Sequence, residues 1–510
     1  MSTALFEQLH PRAVDGTFSE KVQSEGSTVL SEAGAMAVDL DWVEGIRTDL
    51  QAALVPEFRR TSHSSTQPTA EHREAIRVRD ENRKAARESL DIYGGPDLAV
   101  AAIGSAVADR AEILAGITVT EIRSSWGQRL EDAEAEYKAA EAHWKAEGPD
   151  GHERFGSAMH SLSAIKSGTD DETKQDMRRL ADGYLASLKE IRPMGGTLKL
   201  HPKSDKRASA VLQEAAQLFP TDFIEASNVS AFPLMAKDTA GRAHYAHGAS
   251  FKQTEPVKSY ITQSQLPGAP KPQDSLYRKW EPVEDEAAAA QGVQRFRSPS
   301  FDVKGRWDHF TPTKDGSPRG PGWERWEDPE TKEVSWRRQH TYARTVDREQ
   351  VGKLLVDRDT STYMEGRSGA VSTALHEFSH RSEATVQRGR SIDSAPGVGI
   401  AALEAEFLER RTTFEDENGN MVQQPKERIR PGEKTMSKEY CRPDHFPERY
   451  MGKEYGGSYF ELMSVGMEAV FAGQFGGFIG IGRHTSDRES RDFILGTLAV
   501  AHPSARGAQA

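Results

Sequence analysis

The sequence predicts an α+β protein in which a mainly helical N-terminal region precedes a mixed region of helices and short strands. Residues 70–190 are rich in Ala, Glu, Arg and Lys and nearly lack Pro, which favours long helices. Pro, Gly and Ser accumulate in 253–283 and again in 311–322, as is typical of surface loops. From Val351 onward, apolar residues recur at helical spacing between Gly-rich joints.

The length of the chain predicts more than one domain. A chain of 510 residues is longer than a single hydrophobic core usually accommodates, so two or three domains are expected. We expect a mobile leader with one helix over 1–65, a helical domain over 66–192 and a mixed domain over 193–505. The last of these contains the loop insertions at 253–283 and 311–322.

Charge and hydropathy argue against nucleic acid and membrane partners. The formal net charge is -12, whereas binding to phosphates needs a clustered excess of Lys and Arg. The longest apolar run, Leu98 to Ala108, is too short to cross a bilayer. The first twenty residues lack the pattern of a secretory signal. We therefore expect a cytoplasmic protein, or a virion-associated one under the alternative function given below.

One N-terminal helix carries an apolar seam along its whole length. Apolar residues recur there at steps of four and three residues. The members of the seam are Ile122, Trp126, Leu130, Ala133, Tyr137, Ala140 and Trp144. The pattern predicts a helix packed within a bundle of the same chain. An intermolecular coiled coil, with oligomerisation through 122–144, is the alternative.

After the helical domain, the sequence predicts one short helix and two short β-strands. Ala208 to Phe219 is typical of a helix, and Pro220 would end it. Trp323 to Trp326 and Val334 to Arg338 flank the turn-forming segment Asp328 to Thr331. Two β-strands are therefore predicted to pair across that turn.

The segment His376-Glu377-Phe378-Ser379-His380 matches the HExxH pattern. Residues four apart lie one above the other on a helix, so the two imidazoles can share one metal ion. Glu377 lies about 100° around the same helix, where it can accept a proton from a bound water without being a ligand. Cys441 is the only cysteine, so a metal must rely on His and carboxylate ligands. Zn²⁺ is the expected ion.

The flanks of this motif favour a helix with one buried face. Apolar residues at helical spacing form a core-facing stripe, made of Val371, Ala374, Leu375 and Phe378. Ser368 could cap the start of the helix, and Gly389 could end it. The histidines would lie half-buried at the margin of the stripe. The alternative is an exposed helix with two surface histidines.

A catalytic zinc needs a third protein ligand and an open fourth position. Glu461 opens a predicted helix with an apolar stripe of Phe460, Met463, Met467, Val470 and Phe471. Ser464 and Glu468 share the face of Glu461, which suits a ligand and the groups that support it. Glu404, which follows His380 by 24 residues, and Glu468 are the alternative third ligands.

HEFSH and the distant Glu461-x-x-Ser464 helix resemble the gluzincins, which are zinc peptidases with two His ligands and one Glu ligand. The resemblance is closest to the lethal-factor-like members and covers His376–His380 and Glu461–Glu468. It implies a zincin-like metallopeptidase domain over 193–505. It also implies that His376, His380 and Glu461 bind Zn²⁺ and that Glu377 is the general base.

A tyrosine upstream of the ligand glutamate stabilises the oxyanion in that family, and Tyr455 is the nearest counterpart. Its placement departs by one residue, so Tyr450 and Tyr459 are alternatives. The segment 450–457 together with 461–471 also resembles zinc-peptidase-like proteins of phages and actinobacteria. We therefore expect a zinc metallopeptidase that acts on a protein or peptide substrate.

In the expected reaction, zinc lowers the pKa of a bound water toward about 7 and Glu377 takes its proton. The main alternative is a phage or plasmid structural or morphogenesis protein with a structural or inactive zinc site. In its support, Phe6–Phe18 resembles leaders of actinobacterial phage and plasmid proteins. A third hypothesis compares Glu404-Ala405-Glu406, with Ser372-Thr373, to an ADP-ribosyltransferase signature.

Overall fold

The computed structural model describes residues 37–54, 70–264, 281–283, 294–297, 323–358, 361–364, 367–386, 397–429, 440–453 and 460–503, apart from residues 328, 331, 333, 443 and 445. The chain divides into two compact units. The first comprises residues up to 249 and from 351 onward, and the second comprises 250–350. Several predicted features lie outside the described residues, namely 1–36 and 55–65 of the leader, the 311–322 insertion, Gly389, Tyr455 and Tyr459.

The N-terminal region is helical, and the chain as a whole is α+β, as predicted. Its helices are α1 (Leu40–Ala53), α2 (Ala70–Leu90), α3 (Pro96–Ala115), α4 (Val119–Glu147), α5 (His152–Ser167), α6 (Asp171–Ile191), α7 (Lys206–Ala216) and α8 (Thr221–Asn228). Helix α7 begins two residues before and ends three residues before the predicted 208–219, and Pro220 lies at the N-cap of α8. Among the helices of the described ranges, none has both the length and the apolar character that a membrane crossing needs.

The apolar seam of α4 faces α5 of the same chain. The ring of Phe155 stacks on Trp144 at 4.8 Å and also contacts Tyr137 at 5.4 Å. The indole N–H of Trp126 donates to the carbonyl of Ile165 at 2.8 Å. These contacts agree with the interpretation of the seam as part of an internal bundle.

The strands of the larger sheet are β1 (Leu234–Thr239), β2 (His244–Ser264), β3 (Glu281–Val283), β4 (Gln294–Arg297), β5 (Trp323–Glu327) and β6 (Val334–Asp357). Their order is β1-β6-β2-β4-β3, with β5 also on β6. In the first unit, β1 runs parallel to the end of β6, with Leu234 opposite Gly352. In the second unit, β5 pairs antiparallel with the start of β6, with Trp323 opposite Arg338. The predicted pairing of these two strands is thus confirmed.

The remaining elements belong to the first unit. They are β7 (Thr362–Met364), β8 (Arg367–Ser368), α9 (Gly369–Thr385), α10 (Ile400–Arg411), β9 (Thr413–Glu415), β10 (Met421–Gln423), β11 (Glu427–Arg428), β12 (Tyr440–Cys441), α11 (Leu462–Ala472) and α12 (Arg488–Val500). Helix α9 packs against α7, α8 and α11. This packing encloses the HExxH segment on the side of its apolar stripe.

Helix α12, near the C-terminal end of the described chain, packs closely against α3 of the N-terminal region. A Cβ on Gly104 of α3 would lie 1.6 Å from the carbonyl oxygen of Asp492, and one on Gly496 would lie 1.9 Å from that of Val100. Only glycine at these two positions lets the backbones of α3 and α12 approach so closely. The predicted helical segment and the segment with the motif therefore share one compact unit.

Candidate metal centre

Helix α9 carries both histidines of the HExxH motif. Its apolar stripe is buried as predicted, with Val371, Ala374, Leu375 and Phe378 each at most 2% exposed. The ring of Phe378 meets that of Phe219 edge-on at 4.9 Å, which orients the helix against its neighbours. The side chains of His376 and His380 are 17% and 13% exposed. They lie at the margin of the stripe, half-buried, as the sequence predicts.

Helix α11 brings Glu461 to these histidines. Glu461 is the N-cap residue of α11, with φ -110° and ψ 0°, and its side chain is 1% exposed. The apolar stripe predicted for this helix is buried, with Phe460, Met463, Met467, Val470 and Phe471 each at most 2% exposed. The packed stripe fixes the helix, and its first residue therefore has a defined place beside α9.

The three predicted ligands meet at one point. Nε2 of His376 lies 3.2 Å from Oε2 of Glu461, and Nε2 of His380 lies 3.1 Å from the same oxygen. All three ligand atoms lie within 4.8 Å of one another, and the group could hold a metal ion. The two imidazole rings stand nearly perpendicular, at an interplanar angle of 79°.

The other nitrogen of each imidazole faces a second carboxylate. Nδ1 of His376 lies 3.0 Å from Oε2 of Glu468, whose Oε1 accepts a hydrogen bond from the hydroxyl of Ser372 at 3.1 Å. Nδ1 of His380 lies 3.5 Å from Oε1 of Glu383. Carboxylates in this position fix the tautomer and orientation of a metal-binding histidine. Both Nε2 atoms are therefore directed at the shared position.

The alternative third ligands occupy other positions. Glu468 contacts the outer nitrogen of His376, as described above, and is not at the shared point. Glu404 is fully buried, and its Oε1 accepts a hydrogen bond from the backbone N–H of Met463 at 2.8 Å. Glu406 instead pairs with Arg87 at the surface. Glu404 and Glu406 thus lie in different environments, which disfavours their interpretation as a joint ADP-ribosyltransferase acidic pair.

The comparisons with known proteins identify no family for this chain. No family model matches the chain, and no curated protein or solved structure matches it significantly. The zincin-like fold and the gluzincin resemblance therefore stay predictions from the motif. The geometry around His376, His380 and Glu461 is the observation from which function is argued.

The carboxylates favour a positive charge on both histidines. Burial alone lowers the pKa of His376, but the charge of Glu468 and hydrogen bonds with Glu461 and Glu468 outweigh burial and raise the pKa to about 10. Burial also opposes the charge on His380, yet Glu383 and Glu461 hold the pKa of that imidazole well above its usual value. The carboxylates therefore stabilise positive charge at this site.

The pKa values of Glu461 and Glu377 shift in opposite directions. Burial raises the pKa of Glu461, but hydrogen bonds with His376 and His380 outweigh it and hold the pKa well below the usual range. Glu461 is thus ionised at neutral pH. Glu377, which is 5% exposed, has a raised pKa because it is buried, against the opposing charges of the two histidines.

A phenol and two basic groups lie on another side of the site. The ring of Tyr450 lies 6.5 Å from that of His376, and its hydroxyl accepts hydrogen bonds from Lys453 at 2.8 Å and Arg242 at 2.7 Å. Nζ of Lys453 is also 3.8 Å from Oε1 of Glu461. Lys453 and Arg242 were not predicted as site residues. No local pattern could identify Arg242, which is separated from Tyr450 by 208 positions, whereas Lys453 lies only three positions after Tyr450.

The donor set fits zinc. Two ligands bound at about 2.0–2.1 Å in tetrahedral geometry are about 3.3 Å apart. The Nε2 to Oε2 distances of 3.2 and 3.1 Å are close to that separation. Two imidazole nitrogens and one carboxylate oxygen are also a ligand set used by catalytic zinc. The residues present therefore suit Zn²⁺.

Proposed function

We propose that this chain is a zinc-dependent metallopeptidase with His376, His380 and Glu461 as ligands and Glu377 as the general base. One observation carries the proposal. Both Nε2 atoms converge on one oxygen of Glu461, while Nδ1 of His376 lies 3.0 Å from Glu468 and Nδ1 of His380 lies 3.5 Å from Glu383. If two histidines shared a helix face by chance, we would not expect every ring nitrogen to lie beside a carboxylate oxygen. Metal-binding histidines commonly have such supporting carboxylates, and this likeness supports the proposal.

The chemistry follows from the ligands and from Glu377. Zinc held by this set would activate a water molecule and polarise the carbonyl of a peptide bond. Glu377 is the neighbour of His376 on α9, and its raised pKa makes it a better proton acceptor than an ordinary glutamate. It would take a proton from the water and pass it to the nitrogen of the leaving amine. A protein or peptide is therefore the proposed substrate.

Tyr450 is the described tyrosine best placed to stabilise the oxyanion. Its oxygen accepts hydrogen bonds from two cationic groups, Lys453 and Arg242. Such bonds polarise the phenol and strengthen its O–H as a donor. The ring lies beside that of His376. We propose Tyr450 for the role that the family resemblance assigns to Tyr455, which lies outside the described residues.

Metal content and peptide turnover, measured on the full-length protein, test the proposal. We expect about one zinc per chain and hydrolysis of unfolded protein or peptide libraries. The Glu377→Gln variant should keep its zinc and lose turnover by at least about 10²-fold, since it retains the shape of Glu377 without its basicity. The Glu406→Gln variant, altered at a surface glutamate, is the matched control.

Two results would overturn the proposal. A wild-type protein that holds no stoichiometric zinc lacks the centre altogether. A Glu377→Gln variant as active as the wild type shows that any hydrolysis arises elsewhere. Zinc without turnover of any peptide supports the alternative of a structural or morphogenesis protein whose zinc site is structural.

A further inference from the structure

The N-terminus of α11 is held by carboxylates from two other helices. The backbone N–H of Met463 donates to Oε1 of Glu404 at 2.8 Å, and Glu404 belongs to α10. On the other side of Glu461, the N–H of Phe460 donates to Oε2 of Glu383 from α9 at 3.5 Å. The backbone around Glu461 is therefore fixed on both sides by buried glutamates.

This arrangement replaces the usual helix cap. An N-cap side chain normally accepts a hydrogen bond from the second or third backbone N–H of its helix. Glu461 occupies the N-cap position of α11 but makes no such bond. Its Oε2 instead faces both histidines and accepts a hydrogen bond from Ser464 at 2.9 Å. Met463 is the second residue of α11, so Glu404 accepts the bond that a capping side chain would otherwise take.

We propose that Glu404 is a positioning residue of the metal centre, which caps α11 from a neighbouring helix and so leaves the carboxylate of Glu461 to serve as a ligand. The inference rests on the proposed metal centre. Glu404 does not join the ligand group itself. Its effect on the metal passes through the backbone of Met463 to Glu461, two positions earlier.

The burial of Glu404 supports a dedicated role. The residue is fully buried. Removing a carboxyl group from water costs free energy unless a hydrogen bond or a charged partner compensates for it. Burial and the charge of Glu383 raise the pKa of Glu404 well above its usual value, which favours the neutral form of the side chain. Glutamine has nearly the same shape and keeps an oxygen that can accept a hydrogen bond from the Met463 N–H. Glu404→Gln is therefore the conservative variant that should preserve the cap.

The main test compares the zinc affinities of matched variants of the full chain. Glu404→Ala should weaken zinc binding by about 10–100-fold, the range found when groups that orient metal ligands are removed. Glu404→Gln should bind zinc within about threefold of the wild type. The control is Glu406→Ala, which removes a surface glutamate of the same helix that pairs with Arg87. That control should leave the zinc Kd unchanged.

A spectroscopic measurement separates positioning from mere stability. Cobalt(II) replaces zinc in such sites, and its visible absorption reports the number and geometry of the ligands. Glu404→Ala should change the cobalt spectrum, whereas Glu404→Gln should reproduce that of the wild type. Loss of stability in Glu404→Ala with an unchanged zinc Kd and cobalt spectrum would overturn the inference.

The outcomes distinguish the two proposals. A wild-type protein that binds no metal overturns the metal centre and with it the role of Glu404. A wild-type protein that binds zinc, with Glu404→Ala binding equally tightly, overturns only the role of Glu404.

If Glu404→Ala does not fold, Glu404→Asp replaces it, because its shorter side chain keeps the carboxyl group but withdraws it from Met463. Glu404→Asp should then bind zinc more weakly than Glu404→Gln, and the reverse order overturns the inference.

Discussion

The carboxylate of Glu468 lies 3.0 Å from Nδ1 of His376, at the ring nitrogen opposite the one that faces Glu461. Glu468 therefore orients the imidazole without occupying a ligand position. We expect Glu468→Ala to weaken zinc binding by about 10–100-fold. Ser372→Ala, which removes only the hydroxyl that supports Glu468, should weaken it less. Chelator competition measures both constants.

The ranking of these variants decides the role of Glu468. An affinity that is unchanged in Glu468→Ala would show that the carboxylate has no part in orienting His376. A larger loss in Ser372→Ala than in Glu468→Ala would also contradict the prediction, since the hydroxyl acts on the imidazole through that carboxylate.

Zinc binding should depend on pH through the two histidines. The pKa of His376 is raised to about 10, so its ring holds a proton near pH 7.5 in the metal-free protein, and the raised pKa of His380 favours the protonated form of that ring too. A metal must displace these protons from Nε2, so the apparent zinc affinity should rise with pH and level off near pH 10. We expect release of at least one proton per zinc bound near pH 7.5.

Calorimetry in buffers of different ionisation enthalpy counts the protons released. His376→Gln, which has no titrating imidazole at this position, should release about one proton fewer. An affinity that does not change between pH 6 and 9, or the absence of proton release, would contradict the assigned protonation of the site.

Much of the site could be predicted because it depends on local geometry. The spacing of His376 and His380 follows from one turn of helix, and the stripe with Phe378 shows which face is buried. Glu461 could be proposed because it opens a helix with its own apolar stripe. Glu383 also had a local signal that was missed, since it follows His380 by three residues on the same helix.

The rest of the site depends on contacts between distant segments. Spacing alone makes Glu404 a candidate ligand, whereas in the fold its side chain accepts a hydrogen bond from the backbone of Met463, 59 positions away. Arg242 reaches Tyr450 only because the fold brings the start of the β2 region to the 3₁₀ turn at Arg449–Gly452. No periodicity or motif near either residue encodes such a contact. The tertiary structure was needed to find them.

Variants of Tyr450 and Tyr455 should show which of the two tyrosines stabilises the oxyanion. If Tyr450 stabilises the oxyanion, Tyr450→Phe should lower kcat by about 10²–10³-fold, because one hydrogen-bond donor is lost in the transition state. KM and zinc content should change little, since the phenol is not a ligand. Tyr455→Phe is the matched variant. A large loss in Tyr455→Phe with near-normal activity in Tyr450→Phe would assign the role to the residue expected from sequence instead.

Arg381, the residue after His380, should be essential for the stability of the first unit. Its guanidinium is fully buried and donates to the hydroxyl of Ser227 at 3.0 Å, to the carbonyls of Ser227 and Phe232 at 2.8 and 2.9 Å, and to the hydroxyl of Tyr245 at 3.0 Å. Replacement by Met would fill much of the space but leave these acceptors without a donor. Each unpaired buried acceptor costs about 1–3 kcal/mol.

We therefore expect Arg381→Met to lower the free energy of unfolding by at least about 3 kcal/mol, measured by urea denaturation of the metal-free protein. Arg87→Ala, which breaks the surface pair with Glu406, should cost about 1 kcal/mol or less. Because Arg381 lies on the helix of the HExxH motif, saturating zinc should restore part of the stability of Arg381→Met by binding the folded state. An unfolding free energy within about 1 kcal/mol of the wild type would show that the Arg381 contacts do not hold α9 in place.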